Sequence, residues 1–420
     1  GNKVLDMLMS NRKLLISAHM IEKNDYDFLF AIDLKQASKI SFIKDYIKDI
    51  AGVYGYSFAK KDFQKNDVIV LTDNKTKEEL YISFVENILI CSYSEQILQK
   101  SILCSSDNYW DNNKSFMIIK KELSNRKLFN FYFNYNKLND YINCFIQKED
   151  EMVKVLGKAL AFSALNFYFE EERLSLNGYT NLNDSVQSYL HALLNVTPGA
   201  IRGYEILSSQ TALYLSMSFE DFLDFRDNLE SEFAAEDTVN HINYAKNIAR
   251  IERLLKINVQ QDFFNWIGSE IVFSKMRPDA NSREEDIVVA IHARDTLLAK
   301  NGLNNITTQI KRRTPVKFEA VNYKNFVINQ LVVKGFFKMF LGNLFNKLET
   351  PYFTYIEDYV VFSNSHSALQ NVIDHYIKGE TLSNNDNFMK FLSDFDEKAN
   401  ISAFIQMPKL YSHLYYYSNK

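Results

Sequence analysis

The residues from Tyr81 to Ile102 are written twice in this chain. Tyr81-Ile82-Ser83-Phe84-Val85-Glu86-Asn87 leads into an apolar run and then Ser92-Tyr93-Ser94. Far downstream, Tyr352-Phe353-Thr354-Tyr355-Ile356-Glu357-Asp358 leads into another apolar run and Ser363-Asn364-Ser365. At a constant offset of 271, seven of the 22 aligned positions are identical and most others exchange like for like. Such a chain must build the same local structure twice. Aromatic and β-branched residues open each copy and suit a pleated surface, and Glu-Asn or Glu-Asp supplies a turn. The runs Ile88 to Cys91 and Tyr359 to Phe362 are apolar without alternation, as in a strand covered on both faces. Ser94 and Ser365 stand where a hydroxyl would cap a helix. Ile97, Leu98, Ser101 and Ile102, like Ala368, Leu369, Val372 and Ile373, then recur at helical spacing.

The duplication extends outward. Phe116-Met117 returns as Phe388-Met389, Lys137-Leu138 as Lys409-Leu410, and Asp27 to Ile32 aligns with Asp286 to Ile291. Asn2, Asp6 and Met20 align with Asn258, Asp262 and Met276, so the offset drifts only from 256 to 272. Thr197-Pro198-Gly199 punctuates the chain between the copies. The expectation is an α+β protein of two tandem pseudo-repeat units, 1–196 and 197–420, each a mainly antiparallel sheet with helices packed on one side. Ile88 should lie in its sheet where Tyr359 lies in the other. Phe162 to Thr180 is the clearest hairpin: Phe162, Ala164, Asn166 and Tyr168 face one way, and Ser163, Leu165, Phe167 and Phe169 the other. By the offset it should recur near 434, and the strand and helices of Ala212 to Ile257 lack a counterpart before Gly1. The first unit is therefore expected to miss its N-terminal part, and the second its C-terminal hairpin, within a longer protein.

Composition narrows the function classes. With 46% hydrophobic residues in 420, a sizeable core is assured, and 33 Phe and 25 Tyr against 12 Gly and 5 Pro imply long regular elements. The net charge of -4 gives no electrostatic footprint for nucleic acid. Lys311-Arg312-Arg313 reads as a solvated helix end. Cys91, Cys104 and Cys144 show no paired spacing, so no disulfide framework or metal knuckle is indicated. No run reaches the ~18 apolar residues that span a bilayer.

A search for chemistry yields no catalytic, cofactor or metal motif. Gly52-Val53-Tyr54-Gly55 is too poor in glycine for a phosphate cradle. His366 and His375 lie nine apart on one predicted helix and point away from each other. Asp107, Asp111 and Asn113 lack the glycine and closing glutamate of a calcium loop. The repeated Ser92/Ser94 and Ser363/Ser365 need only capping. The stretch Phe336, Phe337, Phe340, Leu341, Leu344 and Phe345 is an apolar helical stripe, either laid on its own sheet or exposed to a partner or lipid.

Leu14 to His19, Asp27 to Phe30, Leu176-Asn177-Gly178-Tyr179 and Asp358 to Ser363 resemble a family of Bacteroidota cell-envelope proteins classified only as a domain of unknown function. The resemblance implies an exported, membrane-tethered protein, of lipoprotein type, facing the periplasm or cell surface. It carries over no active residue and no cofactor. The expectation is a non-enzymatic interaction or scaffold module with protein partners in the envelope. A carrier of an apolar ligand or lipid, and an enzyme with a dispersed active site, stand as alternatives.

Overall fold

The structure is a computed structural model that describes residues 12–35, 40–105, 109–123, 129–146, 151–170, 173–236, 238–277, 286–315, 318, 320–337, 345 and 347–418. The chain divides into two compact units, Gly1–Asn183 and Asp184–Lys420. The division therefore falls before the expected 196/197. The reason lies in the segment between: Ala192, Leu193 and Val196 are buried in the core of the second unit, which no turn residue at 197–199 could undo.

In the first unit, strands β1 (Leu14–Glu22) and β2 (Asp25–Asp33) form a hairpin, and helix α1 (Ile40–Val53) follows. Strands β3 (Tyr56–Phe63), β4 (Asn66–Asp73), β5 (Glu79–Val85) and β6 (Ile88–Ser92) lead to helices α2 (Glu95–Ser105) and α3 (Lys114–Glu122). The sheet order is β1-β2-β6-β5-β4-β3, antiparallel throughout. A second sheet, β7-β8-β9, combines β7 (Asn130–Asn134) with the hairpin β8 (Leu160–Glu170) and β9 (Arg173–Leu182); helix α4 (Glu151–Ala159) leads into β8.

The second unit opens with helix α5 (Tyr189–Leu194) and strands β10 (Gly199–Ala200) and β11 (Thr211–Ser218). Helices α6 (Phe222–Glu236) and α7 (Thr238–Leu255) precede β12 (Ile267–Met276), β13 (Ile287–Ala293) and helix α8 (Thr296–Arg313), whose last turn holds the basic cluster. Strands β14 (Val321–Tyr323), β15 (Phe326–Gln330), β16 (Tyr352–Ile356) and β17 (Tyr359–Ser363) are followed by α9 (His366–Ile377) and α10 (Asp386–Leu392). Strand β18 (Lys398–Ala399) pairs with β10, and β19 (Ile401–Ile405) and α11 (Met407–Ser418) close the chain described. The main sheet runs β19-β11-β12-β13-β17-β16-β15-β14.

From β12 to β14 this order is that of β1 to β3 in the first unit. The pairing agrees residue for residue. Tyr81 pairs with Ser92 and Val85 with Ile88, as Tyr352 pairs with Ser363 and Ile356 with Tyr359. Asp33 faces Ile88 as His292 faces Tyr359, so Ile88 and Tyr359 hold corresponding places. Turns correspond too: Glu86 (φ 52°) and Glu357 (φ 49°) both adopt the left-handed conformation, as do Gln64-Lys65 and Lys324-Asn325. One detail differs from the sequence alignment. Phe30 pairs with Ile16, and Val289 with Phe273, which sets β1 against β12 at an offset of 257 and displaces Met20 from Met276 by one.

The α+β architecture is as expected, but helices do not lie on one side only. Alternate residues of each strand feed two different cores. In the first unit Ile69, Ile82 and Leu89 pack with Ile43 of α1, whereas Val68, Tyr81 and Ile90 pack with Ile97, Leu98 and Ile102 of α2. In the second, Val289, Phe353 and Phe362 pack under α6 and α8, and Val288, Val361 and Tyr359 under α9 and α10. A central strand with no polar face requires cover on both sides. Ser365 Oγ accepts from Ala368 N–H at 3.3 Å and Ser94 Oγ from Ile97 N–H at 3.4 Å, while Ser363 and Ser92 accept from the amides of Ser365 and Ser94. Cys91, Cys104 and Cys144 are free thiols.

Replacing the capping hydroxyl should weaken each unit alike. Ser365→Ala and Ser94→Ala are each expected to cost about 1 kcal/mol, measured as a lowered denaturation midpoint of the corresponding unit. A loss in one unit and none in the other would contradict the shared local design.

Candidate functional site

The apolar stripe singled out in the sequence is core where it is described. Phe336 and Phe337 are fully buried and Phe345 nearly so. Phe337 meets Phe362 edge-on at 4.7 Å, and Phe336 meets Phe263 at 4.9 Å. These three are thus packed against their own sheet and not offered to a partner. Their apolar character is used up under α6 and α8, which is why the stripe does not reach solvent. Phe340, Leu341 and Leu344 lie outside the described residues.

The open apolar surface lies elsewhere, on the sheet β7-β8-β9. Leu165 pairs with Phe131 and Gly178, Phe167 with Leu176, and Phe169 with Leu174. Alternation therefore puts Phe131, Phe133, Leu165, Phe167, Phe169, Leu174 and Leu176 on one face. Phe129 extends it: its carbonyl accepts from Phe167 N–H, and its ring stacks on that of Phe167 at 4.1 Å. The opposite face is different. There Phe162 and Ala164 are buried with Phe116 and Ile119 of α3 and with Leu123. So α3 covers one side of this sheet, while on the other Phe169 is 72% exposed, Leu174 54%, Phe129 46%, Leu176 45% and Phe131 42%.

Among those eight side chains there is no ionisable group. Gly178 permits the close approach of β9 to β8, because a Cβ there would come within 2.1 Å of the Ala164 carbonyl oxygen. Five half-open side chains of roughly 200 Å² each leave on the order of 500 Å² of apolar surface bare. Covering it with an equal partner would bury about 1,000 Å² in total, the lower bound of a specific interface. The sequence shows the alternation of this hairpin but not its isolation, since exposure depends on where the helices go.

The second unit holds a polar constellation that no motif announced. Glu270 of β12 is fully buried and its carboxylate accepts five hydrogen bonds. Tyr214 OH (2.9 Å) and Ser216 Oγ (2.6 Å) reach Oε1; Tyr359 OH (2.5 Å), Arg202 N–H (3.0 Å) and Gly203 N–H (2.8 Å) reach Oε2. Burial beside this carboxylate pushes the Tyr214 and Tyr359 phenols well above their ordinary range. Beside them, His292 Nδ1 accepts from Ser269 N–H at 3.1 Å, and Nε2 lies 3.2 Å from Asp358 Oδ2, which also meets Arg202 at 3.4 Å.

Ser269 Oγ stands 3.2 Å from His292 Nδ1, an arrangement that invites a catalytic reading. The physical account is simpler. The Nδ1 lone pair already closes the bulge of β12 through the Ser269 amide, and Asp358 is shared with the guanidinium of Arg202. A Cβ on Gly268 would strike His292 Nδ1 at 2.2 Å, so the ring is seated on the backbone. What these groups hold is the segment around Arg202–Gly203 and strand β11. In the first unit Asp33, Asn87 and Ile88 occupy the places of His292, Asp358 and Tyr359, and among the described residues no strand stands where β11 does. A lone acid in the apolar strand sequence Ile267 to Phe273 was the available signal.

Over residues 236–415 the chain matches a family described as a protein of unknown function, DUF3352. Comparison with curated proteins finds no match. The matched span includes Glu270, His292, Asp358 and Tyr359 but neither β11 nor the β7-β8-β9 sheet.

Removing the Glu270 carboxylate strands several buried donors, so Glu270→Ala should destabilise the second unit by about 3 kcal/mol, read in urea denaturation. The raised phenols make a second expectation. A group whose folded pKa lies above its unfolded value of about 10 contributes stability that is complete below that pH and lost as pH rises past it. Unfolding free energy of the second unit should fall above about pH 10, and Tyr359→Phe should flatten that fall.

Proposed function

We propose that the chain is a non-enzymatic interaction module of the cell envelope, exported and membrane-tethered, that docks a partner protein on the bare face of the β7-β8-β9 sheet. The observation that carries this reading is the eight-residue apolar face opposite α3, five of whose side chains lie two-fifths or more exposed. Monomeric soluble proteins rarely leave so much contiguous apolar area open without a use for it. The exposure of these side chains favours a protein over a small ligand, which is ordinarily enclosed in a concave site. The occupant is a protein rather than an anionic bilayer, because the eight side chains of the face include no Lys or Arg. The envelope location rests on the resemblance of Leu14 to His19 and Asp358 to Ser363 noted above. The matched order and pairing of the two sheets support reading the units as copies of one ancestral fold.

A photo-reactive phenylalanine analogue placed at Phe131, with irradiation of intact native cells, tests the reading. One discrete protein adduct is expected, lost when Leu176→Asp puts a charge in the middle of the face. Adducts with lipid alone, or a protein adduct indifferent to Leu176→Asp, would refute it. Saturable one-to-one uptake of a fluorescent fatty acid, abolished by Leu176→Asp, would establish a carrier instead.

A further inference from the structure

Charge in the second unit is sorted by helix. Helix α7 carries Lys246, Arg250 and Arg253 at i, i+4 and i+7, which is one stripe of a helix. All three are exposed, and they lie opposite Ile248, Ile251 and Leu255, which meet the core. The one acid of this helix, Glu252, is half-buried and accepts from the Val259 amide at 2.9 Å. Helix α8 packs against α7 and covers the same core. It has no Asp or Glu from Thr296 to Arg313 and ends in the exposed Lys311, Arg312 and Arg313. The acids of this layer are gathered on α6, as Asp224, Asp227, Glu230 and Glu232.

The cations of α7 and α8 also lack internal partners. Among the described residues none of the six pairs with a carboxylate, whereas Arg202, Arg226, Arg294 and Lys324 of the same unit each do. Cations in the last turn of a helix offset its dipole, which would account for Lys311, Arg312 and Arg313 alone. The dipole does not reach Lys246 and Arg250, which stand before the last turn of α7. Like charges held on two neighbouring helices repel one another, so the arrangement gains most from an anion laid across it. Side chains on the exposed sides of the same helices identify that anion. Leu254 is 62% exposed, Leu297 64% and Leu298 49%. Leucine cannot stack on a base as the aromatic residues of nucleic-acid sites do, and a solvated polyanion leaves it in water. At a bilayer such leucines enter the acyl boundary while Lys and Arg reach the headgroups.

We propose that the outward side of α7 and α8 rests on an anionic lipid surface. The six cations lie among the headgroup phosphates, and Leu254, Leu297 and Leu298 lie at the acyl boundary. Among the described residues no helix is long and apolar enough to cross a membrane, so the two helices lie along the surface. The attraction grows with each cation and is screened by salt. The membrane tether proposed above would keep the second unit near such a surface, but the face is built without it and does not depend on the β7-β8-β9 sheet.

The probe is a vesicle of phosphatidylcholine and phosphatidylglycerol, sedimented with the full chain and compared with a vesicle of phosphatidylcholine alone. Binding to the anionic vesicle only is expected, lost at about 1 M salt, where the screening length falls to ~3 Å. Lys246→Gln, Arg250→Gln and Arg253→Gln together should weaken it by about a hundredfold. In Leu254→Trp, brominated acyl chains should quench the added fluorescence. Should the α7 variant fail to fold, Lys311→Gln, Arg312→Gln and Arg313→Gln test the same face from the end of α8. No binding, equal binding to the neutral vesicle, or binding indifferent to both sets of substitutions overturns the proposal. Tighter retention on polyglutamate or on duplex DNA than on the vesicle would give the face to an acidic protein or a nucleic acid, and also overturns it.

Discussion

A strand with no polar face dictates the rest of each unit. Val360, Val361 and Phe362 at the middle of β17 are fully buried, and successive side chains project to opposite sides of the sheet. Such a strand is stable only with apolar layers above and below. Helices α6 and α8 provide one layer, α9 and α10 the other. The polar residues that flank the run are placed where the layers end: Ser363 and Ser365 turn the chain out of the sheet and start α9 in the space of three residues.

Among the described residues, the first unit meets the same demand with fewer elements. Its sheet has α1 and α2 as covers, but among the described residues it has nothing in the position of β11 or α6. The consequence is visible in burial, since β1 is half open where β12 is closed. It is visible in chemistry as well. The hydrogen-bonded carboxyl group of Glu270 fastens β11, the Arg202–Gly203 segment and Tyr359 together, whereas in the first unit Ile88 and Asp33 stand in the sheet positions of Tyr359 and His292. A buried carboxyl group satisfied by two phenols, a hydroxyl and two amides makes sense as a device for holding one register of these elements.

Much of this could be read from the letters. The repeated stretch located the central hairpin, the caps and even the corresponding residues Ile88 and Tyr359, because strand pairing and capping are local and leave periodic traces. The alternation of Phe162 to Thr180 assigned each side chain to its face. What escaped was everything decided by long-range packing. The apolar runs called for cover on both faces, yet the helices were placed on one. The stripe at Phe336 allows either a place on its own sheet or contact with a partner, and Phe263 and Phe362 cover Phe336 and Phe337. The bare face at Phe131 and Leu176 looked like any half-buried hairpin. Glu270 could not be recognised, since its five donors come from three separate segments. The boundary near Pro198 marked a real turn, but packing of Leu193 and Val196 outweighed the punctuation.

The sheets also differ in how far apart in sequence their strands lie. All six strands of the first sheet are complete by Ser92. In the second, β11 is held from outside by β19, and Gln406 bonds the Thr211 carbonyl across 195 positions. Closing so long a loop carries a larger entropic cost and slows pairing. As the chain is made, the strands of the early sheet are available to pair at once, while β11 waits, with its outer edge unpaired, for β19 to be made. A nascent chain of this design has its period of greatest exposure to aggregation in the interval between residues 218 and 401.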